Sequence, residues 1–279
     1  MKIIENLKDG YEILKINNIS SYKIDCEILM AQSLNMSREE VLLNLEKEIR
    51  KEDKEIYLNL INRRKKNEPI AYITNNKSFW RDKFITNKYA LIPRPDSEHL
   101  VEHSLRLIKK YQAKKILDIG VGSGCLSISI LKERPYCKCD AIDLSKNALK
   151  LAKINANIHQ ISNRIKFYKR DVDNFYHDKY DLIISNPPYI NKHKIKYLGA
   201  INYEPKIALD GGLDGLEVIR KVISKSKYLL KTKGKLILEI GYDQKYKVIN
   251  FLKEKKFFIN KIIKDYGNNS RCIVSTNKN

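Results

Sequence analysis

The chain lacks the marks of several protein classes. No stretch approaches the apolar length that spans a bilayer. The opening residues MKIIENLKDGYEIL carry charges throughout, with no apolar run of signal-peptide length. Cysteine is sparse: Cys26, Cys125, Cys137, Cys139 and Cys272 form no CxxC pair, and five is an odd number. A disulfide framework does not fit that count, so a reduced, cytoplasmic chain is expected, with no membrane partner. Cys137 and Cys139 alternate in an expected strand and should share a face, but no partner pair has ligand spacing. His99 and His103 lie four apart on an expected helix without a third ligand, so no metal site is expected. No run of five Lys or Arg residues forms a basic tail, and no internal repeat or low-complexity segment is visible.

What remains is a chain of 279 residues, 43% hydrophobic and 31% charged, enough for one large domain or a medium domain plus a small one. Its formal charge is +21. Such an excess attracts phosphate-rich or acidic partners. The excess is mostly Lys, beside abundant Asn and Ile, which equally fits a compositional bias spread over the surface.

The chain divides into three stretches. Over residues 1–70, Ile13, Leu14, Ile28, Leu29, Val41, Leu42, Leu45, Ile56, Tyr57, Leu60 and Ile61 recur at helical spacing. Ser37 and Glu40 form a capping-box pattern, and Asp25 suits the first turn of the preceding helix. A bundle of about four helices follows from this spacing, better suited to docking or recognition than to catalysis. Residues 71–92 carry aromatic and β-branched positions interrupted by Asn75-Asn76-Lys77, which predicts a hairpin or linker. Two prolines, Pro93 and Pro95, then hold the backbone extended, with Asp96 or Ser97 as the expected cap of the next helix. Over 93–279 strands and helices alternate. Strands are expected at 115–119, 137–142, 165–169, 180–185, 235–240, 257–264 and 271–275, and helices at 125–132, 146–156, 216–229 and 246–255. That alternation predicts an α/β, doubly wound, mostly parallel sheet with ligands at the carboxyl ends of its strands.

The first of these strands runs into Leu117-Asp118-Ile119-Gly120-Val121-Gly122-Ser123-Gly124. Glycines at three alternate positions let the backbone turn tightly and approach a ligand. The spacing is GxGxG and not the GxGxxG of dinucleotide folds. An acid two residues before the first glycine suits a cationic amino-acid cofactor and would repel a pyrophosphate; Asp118 also fits a turn cap. Asp143, at the end of the second strand, is placed to accept from ribose hydroxyls and could also cap the next helix. Asp171 can accept from an adenine amino group while Val172 packs on the ring.

The strand at 180–185 ends in Asn186-Pro187-Pro188-Tyr189. The two prolines lack N–H donors, and Pro188 holds Pro187 extended, so their carbonyls point in a fixed direction. The Asn186 side-chain carbonyl adds an acceptor. Together they can take the two hydrogens of a planar –NH2 group, with Tyr189 stacking on it or walling it off. Accepting those hydrogen bonds localises the nitrogen lone pair, so proximity and alignment suffice without a strong base.

The glycine loop together with Asn186 to Tyr189 resembles the class I methyltransferases that modify exocyclic or amide nitrogens. Three further segments resemble the protein-(glutamine-N5) methyltransferases of peptide chain release factors. They are Glu68-Pro69-Ile70-Ala71-Tyr72-Ile73 with Phe79-Trp80, the stretch Leu91 to Glu98, and Tyr203-Glu204-Pro205 through Leu216. The closing Asp265 to Arg271 is similar too. The resemblance implies a class I, Rossmann-like seven-stranded domain behind a helical substrate-recognition domain. It implies S-adenosyl-L-methionine as cofactor, held by Asp118, Gly120, Val121, Gly122, Ser123, Gly124, Asp143, Asp171, Val172 and Asn186. Asn186, Pro187, Pro188 and Tyr189 would hold the glutamine of the GGQ loop in class 1 release factors. A monomer acting on that protein, without nucleic acid, is expected. The family often has Gly at the position of Asn75, which Asn tolerates, and a bulky aromatic at that of Val172. A DNA or RNA amino-methyltransferase is the alternative. It is favoured by the charge and disfavoured by the flanking segments. Arg94 and Glu98 would lie near the cofactor, shaping the pocket or pairing with each other.

Overall fold

A computed structural model describes residues 2–197 and 203–278. Its contacts divide the chain into two units, Met1–Asn75 and Asn76–Asn279.

The first unit is helical: α1 (Ile3–Ile16), α2 (Tyr22–Leu34), α3 (Arg38–Leu43), α4 (Lys51–Arg64) and the single turn α5 (Ile70–Ile73). The capping box is formed, with the Glu40 amide donating to Ser37 Oγ at 3.1 Å and the Ser37 amide to Glu40 Oε2 at 2.6 Å. Leu7, Leu14, Leu29, Met30, Val41, Tyr57 and Ile61 build its core. Leu42 and Ile56, each next to a core residue on its helix, are exposed, because one position along a helix turns a side chain by about 100°. Asp25 does lie in the first turn of α2, but it is buried there and paired with Arg64 of α4 at 2.8 Å. Of the stretch expected as a hairpin or linker, residues 71–73 belong to the single turn α5. Glu68 accepts both Arg63 nitrogens, and α5 buries Ile73 in the same core.

Gly10 of α1 is closely packed. A Cβ there would stand 2.1 Å from the Tyr57 hydroxyl and 3.1 Å from Cys26 Sγ. The Tyr57 hydroxyl is itself fully buried with no hydrogen-bond partner among the described residues, a cost tolerated for the packing of its ring. Burial of that hydroxyl pushes its pKa far up. Gly10→Ala should destabilise the unit by about 1–3 kcal/mol, read as a lower urea midpoint. In a Tyr57→Phe background, which removes the crowding oxygen, the same substitution should cost clearly less. Equal losses in both backgrounds would contradict the steric account.

The second unit opens with a hairpin, β1 (Asn76–Phe79) and β2 (Asp82–Ile85). Its turn falls at Trp80-Arg81, with Trp80 at φ 56°, and not at the Asn75-Lys77 break. Asn75, also at positive φ, is the bend that leads into it. Phe79 and Phe84 point to the same side and are both buried, which selects that register. After a 3-10 turn at Pro95–Ser97 come α6 (Glu98–Leu107), β3 (Lys115–Ile119), α7 (Cys125–Glu133), β4 (Lys138–Asp143), α8 (Lys146–Ile158), β5 (Ile165–Lys169) and β6 (Tyr180–Ser185). Then follow α9 (Lys192–Ile195), α10 (Glu217–Leu229), β7 (Leu230–Glu239), α11 (Lys245–Glu254), β8 (Phe257–Lys264) and β9 (Ser270–Asn277).

Among the described residues seven strands form one sheet in the order β5-β4-β3-β6-β7-β9-β8. β5 to β7 pair in parallel, and β9 joins antiparallel between β7 and β8. Both faces are covered, so the central strands read as nearly continuous apolar runs. Ile116, Cys139, Ala141, Leu182, Ile184 and Ile237 pack toward α6, α7 and α8; Leu117, Ile142, Ile183, Leu236 and Leu238 pack toward α10 and α11. Cys137 and Cys139 lie in the first of these cores. The strand order reverses between β3 and β6, so a crevice opens at their carboxyl ends. There the Ser185 hydroxyl donates to the Ile119 carbonyl at 2.8 Å and ties the two strands together. Among the described residues no helix is long and apolar enough to cross a membrane.

Candidate active site

The crevice holds a cavity of about 700 Å³. Its floor is the glycine loop. The amides of Gly120 and Val121 donate to the Ile142 carbonyl at 2.9 and 3.0 Å, which bends the chain back over β4. Gly120 and Gly122 have φ 79° and 54°, and a Cβ on either would meet no atom closer than 4.0 Å. Their requirement is therefore conformational, and the space beside them opens into the cavity they line. Gly124 differs: a Cβ there would meet Ile128 at 2.8 Å and Ala152 at 3.4 Å, so it serves the packing of α7 on α8 and does not line the cavity. Asn155 of α8, fully buried, holds the loop from behind through the Ser123 carbonyl at 2.8 Å and clasps both backbone groups of Ile85.

The acids divide. Asp143 lines the cavity, accepts from the Gly122 amide at 3.0 Å and the Ser145 amide at 2.8 Å, and is pushed up in pKa chiefly by burial. The helix cap expected as its alternative role belongs instead to Ser145, whose hydroxyl accepts from Ala148. Asp171 and Val172 line the cavity, and Asp171 accepts from the Asp173 amide at 2.9 Å. Asp118 is not on the wall. It is wholly buried under the loop, and neither oxygen has a hydrogen-bond partner among the described residues. Burial raises its pKa to about 7, with a smaller like-charge push from Asp143. The hydroxyl and the amide of Ser127 both hold the shift back, although that hydroxyl also lies 3.4 Å from the Gly124 carbonyl.

Of Asn186-Pro187-Pro188-Tyr189, Asn186 and Pro188 line the cavity. Pro187 is buried behind them, and Tyr189 is not an open platform. Its ring packs on the core around α10, and its hydroxyl donates to Glu239 Oε1 at 3.3 Å. Its carbonyl accepts from Gln244 Nε2 at 3.0 Å, and a bridge joins Ile190 to Asp210. Gly215 packs so closely that a Cβ would lie 2.6 Å from the Tyr189 carbonyl.

Ser97 does hold the N-cap position of α6, but its side chain makes no cap hydrogen bond: its hydroxyl donates to Glu239 Oε2 at 2.6 Å and accepts from Asn186 Nδ2 at 2.9 Å. Arg94 and Glu98 do not pair. Arg94, on the cavity wall, bonds Glu204, which also accepts from the Ile92 amide at 3.0 Å; Glu98 accepts from the Trp80 amide at 2.8 Å. Sequence reasoning missed Glu204, Glu239, Gln244 and Asn155 as supports of the site. For Glu204 its place in the Tyr203-Glu204-Pro205 match was a signal; Gln244 and Asn155 carried none.

Comparisons with known proteins come down on the same side as this geometry. Residues 5–74 match the model of the PrmC N-terminal domain, and residues 97–202 that of the methyltransferase small domain. Solved structures share the fold: a ribosomal protein L11 methylase from Lactobacillus delbrueckii subsp. bulgaricus (TM-score 0.53, 19% identity, 73% of this chain and 90% of that one) and a methyltransferase from Pyrococcus furiosus (TM-score 0.53, 21% identity, 78% and 98%). A bifunctional methyltransferase of Rickettsia bellii is 35% identical over 296 residues, 96% of this chain, yet the chain spans only 53% of that relative's length. A release factor glutamine methyltransferase of Clostridium acetobutylicum is 36% identical over 280 residues, covering 99% of this chain and 98% of its own. Another from Buchnera aphidicola is 36% identical over 267 residues, covering 95% and 96%. With alignment from end to end at that identity, the chain belongs to the release factor glutamine methyltransferase family.

Proposed function

We propose that the protein transfers a methyl group from S-adenosyl-L-methionine to the side-chain amide nitrogen of a glutamine in a class 1 release factor, the glutamine of the GGQ loop. The observation that carries the reading is the meeting of Asn186 and Pro188 with the glycine loop and Asp143 on one cavity wall. Bound there, S-adenosyl-L-methionine supplies an electrophilic methyl on a positively charged sulfur.

The residues fit such a group. The open space beside Gly120 and Gly122 accepts a ligand against bare backbone. Asp143 keeps free lone pairs for hydroxyl donors after taking two amides. Val172 and Asp171 offer an apolar surface beside an acceptor. Val121 and Ser123 line the same floor, while Gly124 sets the helix behind it. Asp118 acts from behind the loop: an orphaned carboxylate is stabilised by a nearby cation, and a cationic ligand supplies one.

On the acceptor side, Asn186 Oδ1 and the Pro187 carbonyl, one residue before the wall at Pro188, receive the two amide hydrogens. Holding both N–H groups localises the nitrogen lone pair toward the donor, and the rigid Pro-Pro backbone fixes the approach; as the nitrogen takes the methyl, the bonding pair stays with the sulfur and one of the two amide hydrogens leaves as a proton to solvent. Tyr189 stiffens the segment through its ring and hydroxyl. The helical unit is assigned recognition of the protein partner.

Purified protein with the labelled cofactor should methylate a class 1 release factor, with mass spectrometry placing the group on the GGQ glutamine. Label in DNA or rRNA with the release factor unmodified would reverse the assignment. Asn186→Ala should lose about 100-fold or more in kcat while cofactor affinity survives; near-normal turnover would remove Asn186 from the chemistry.

Asp118 yields a pH-dependent expectation. Its folded pKa, about 7, lies above its ordinary value, so the folded state holds the proton more tightly. The stability this contributes is complete below the ordinary carboxylate range and is lost as pH rises toward 7. In thermal melts without cofactor, Asp118→Asn should flatten the decline between pH 5 and 8 and weaken cofactor binding at pH 8. An unchanged melting profile would show that Asp118 is not the group responsible.

A further inference from the structure

Glu239 closes β7 and is 1% exposed; Ser97, in the turn before α6, is 3% exposed. A carboxylate taken out of water is costly, and this one survives on two hydroxyl donors, Ser97 at 2.6 Å and Tyr189 at 3.3 Å. The short Ser97 bond has a consequence for Asn186. With its single hydrogen committed to Glu239, the Ser97 oxygen can only accept from its other neighbour. That neighbour is the Asn186 side chain at 2.9 Å, so the –NH2 edge of the carboxamide must face Ser97. Its Oδ1 is thereby left as the edge available to the cavity that Asn186 lines. A flipped carboxamide would present N–H groups to an incoming N–H.

We propose that Glu239 and Ser97 are positioning residues that lock the Asn186 carboxamide with its oxygen toward the acceptor nitrogen. This rests on the methyl-transfer function proposed above. The lock works only while Glu239 is an acceptor. If it takes a proton, it can donate to Ser97, which can then donate to Asn186 Oδ1 and turn the amide over.

Several charged or titratable groups face Glu239. They are Asp96 from the turn at Pro95–Ser97, Tyr189 from the loop after β6, Arg271 and Cys272 from β9, and Cys125 from α7. Burial is the largest influence and raises its pKa to about 7, against the lowering pull of Ser97, Arg271 and Tyr189. Turnover should therefore fall as the pH drops through that region.

Three variants of the full-length protein test the lock, assayed on the release factor with cofactor affinity measured separately. Ser97→Ala should lower kcat about 10- to 100-fold, with KM and cofactor affinity within about twofold, because a misoriented catalytic contact costs rate before binding. Ser97→Thr, which keeps the hydroxyl, should recover most of kcat. Glu239→Gln, the neutral isostere of the protonated acid, offers one acceptor oxygen where the carboxylate serves both Ser97 and Tyr189, so it should lower kcat at neutral pH and lose the acid limb of the pH profile. Full kcat in Ser97→Ala, equal losses in the Ala and Thr variants, or an unaltered acid limb in Glu239→Gln would each overturn the lock. An amide signal independent of activity separates this from the function itself. In protein labelled with 15N-asparagine, the Asn186 Nδ2 cross-peak, assigned by its loss in Asn186→Ala, should shift in Ser97→Ala; an unmoved peak overturns the lock even if the wild-type protein leaves release factor unmodified.

Discussion

The site depends on the parallel pairing of β3 with β6 at the point where strand order reverses. Ile119 stands opposite Ser185, and the Ser185 hydroxyl bonds the Ile119 carbonyl. Because the two strands end level, the glycine loop that leaves one and the Asn-Pro-Pro-Tyr segment that leaves the other open into the same crevice. Helices must cross to opposite faces from this point, so no connection fills the gap between them. The cavity is a product of topology before any side chain is considered.

Around that opening the protein uses buried polar groups to hold backbone that has no ladder of its own. Asn155 fastens the glycine loop and the β2 strand end; Gln244 fastens Tyr189 and Gly215; Glu204 fastens Ile92 and Arg94. Each side chain satisfies loop amides or carbonyls that would otherwise be buried and unpaired. Asp118 is the counter-case, a buried carboxyl with no hydrogen-bond partner within bonding distance among the described residues, eased only by the nearby Ser127. Glu239 lies between these cases: buried and raised in pKa, yet held by two hydroxyls, of which that of Ser97 also accepts from the Asn186 amide.

Much of this was legible in the chain. The alternation of apolar strands and helices after residue 93 follows from burial on both faces of a parallel sheet. The capping box at Ser37 and Glu40 is a local code, read within four residues. Positive φ at Gly120, Gly122 and Gly124 is a requirement each residue carries in its own covalent structure. Where reading failed, the signal was ambiguous locally. The Asn75-Asn76-Lys77 cluster is the better turn composition, yet pairing of Phe79 and Phe84 on one buried face moved the turn to Trp80-Arg81. Ser97 before a helix has the composition of a cap, and the demand of Glu239 redirected its hydroxyl.

The sequence by itself determined the class of fold, the tight glycine turn after β3 and the rigid Asn-Pro-Pro-Tyr segment after β6. All of these reside in contiguous residues whose backbone preferences act locally. Only the tertiary structure decided which face of that segment is presented. Ser97 lies 89 positions from Asn186 and 142 from Glu239, and each reads in the chain as an ordinary polar residue. Their roles arise when folding removes water from between them, because a buried donor or acceptor must then take whichever partner the packing supplies.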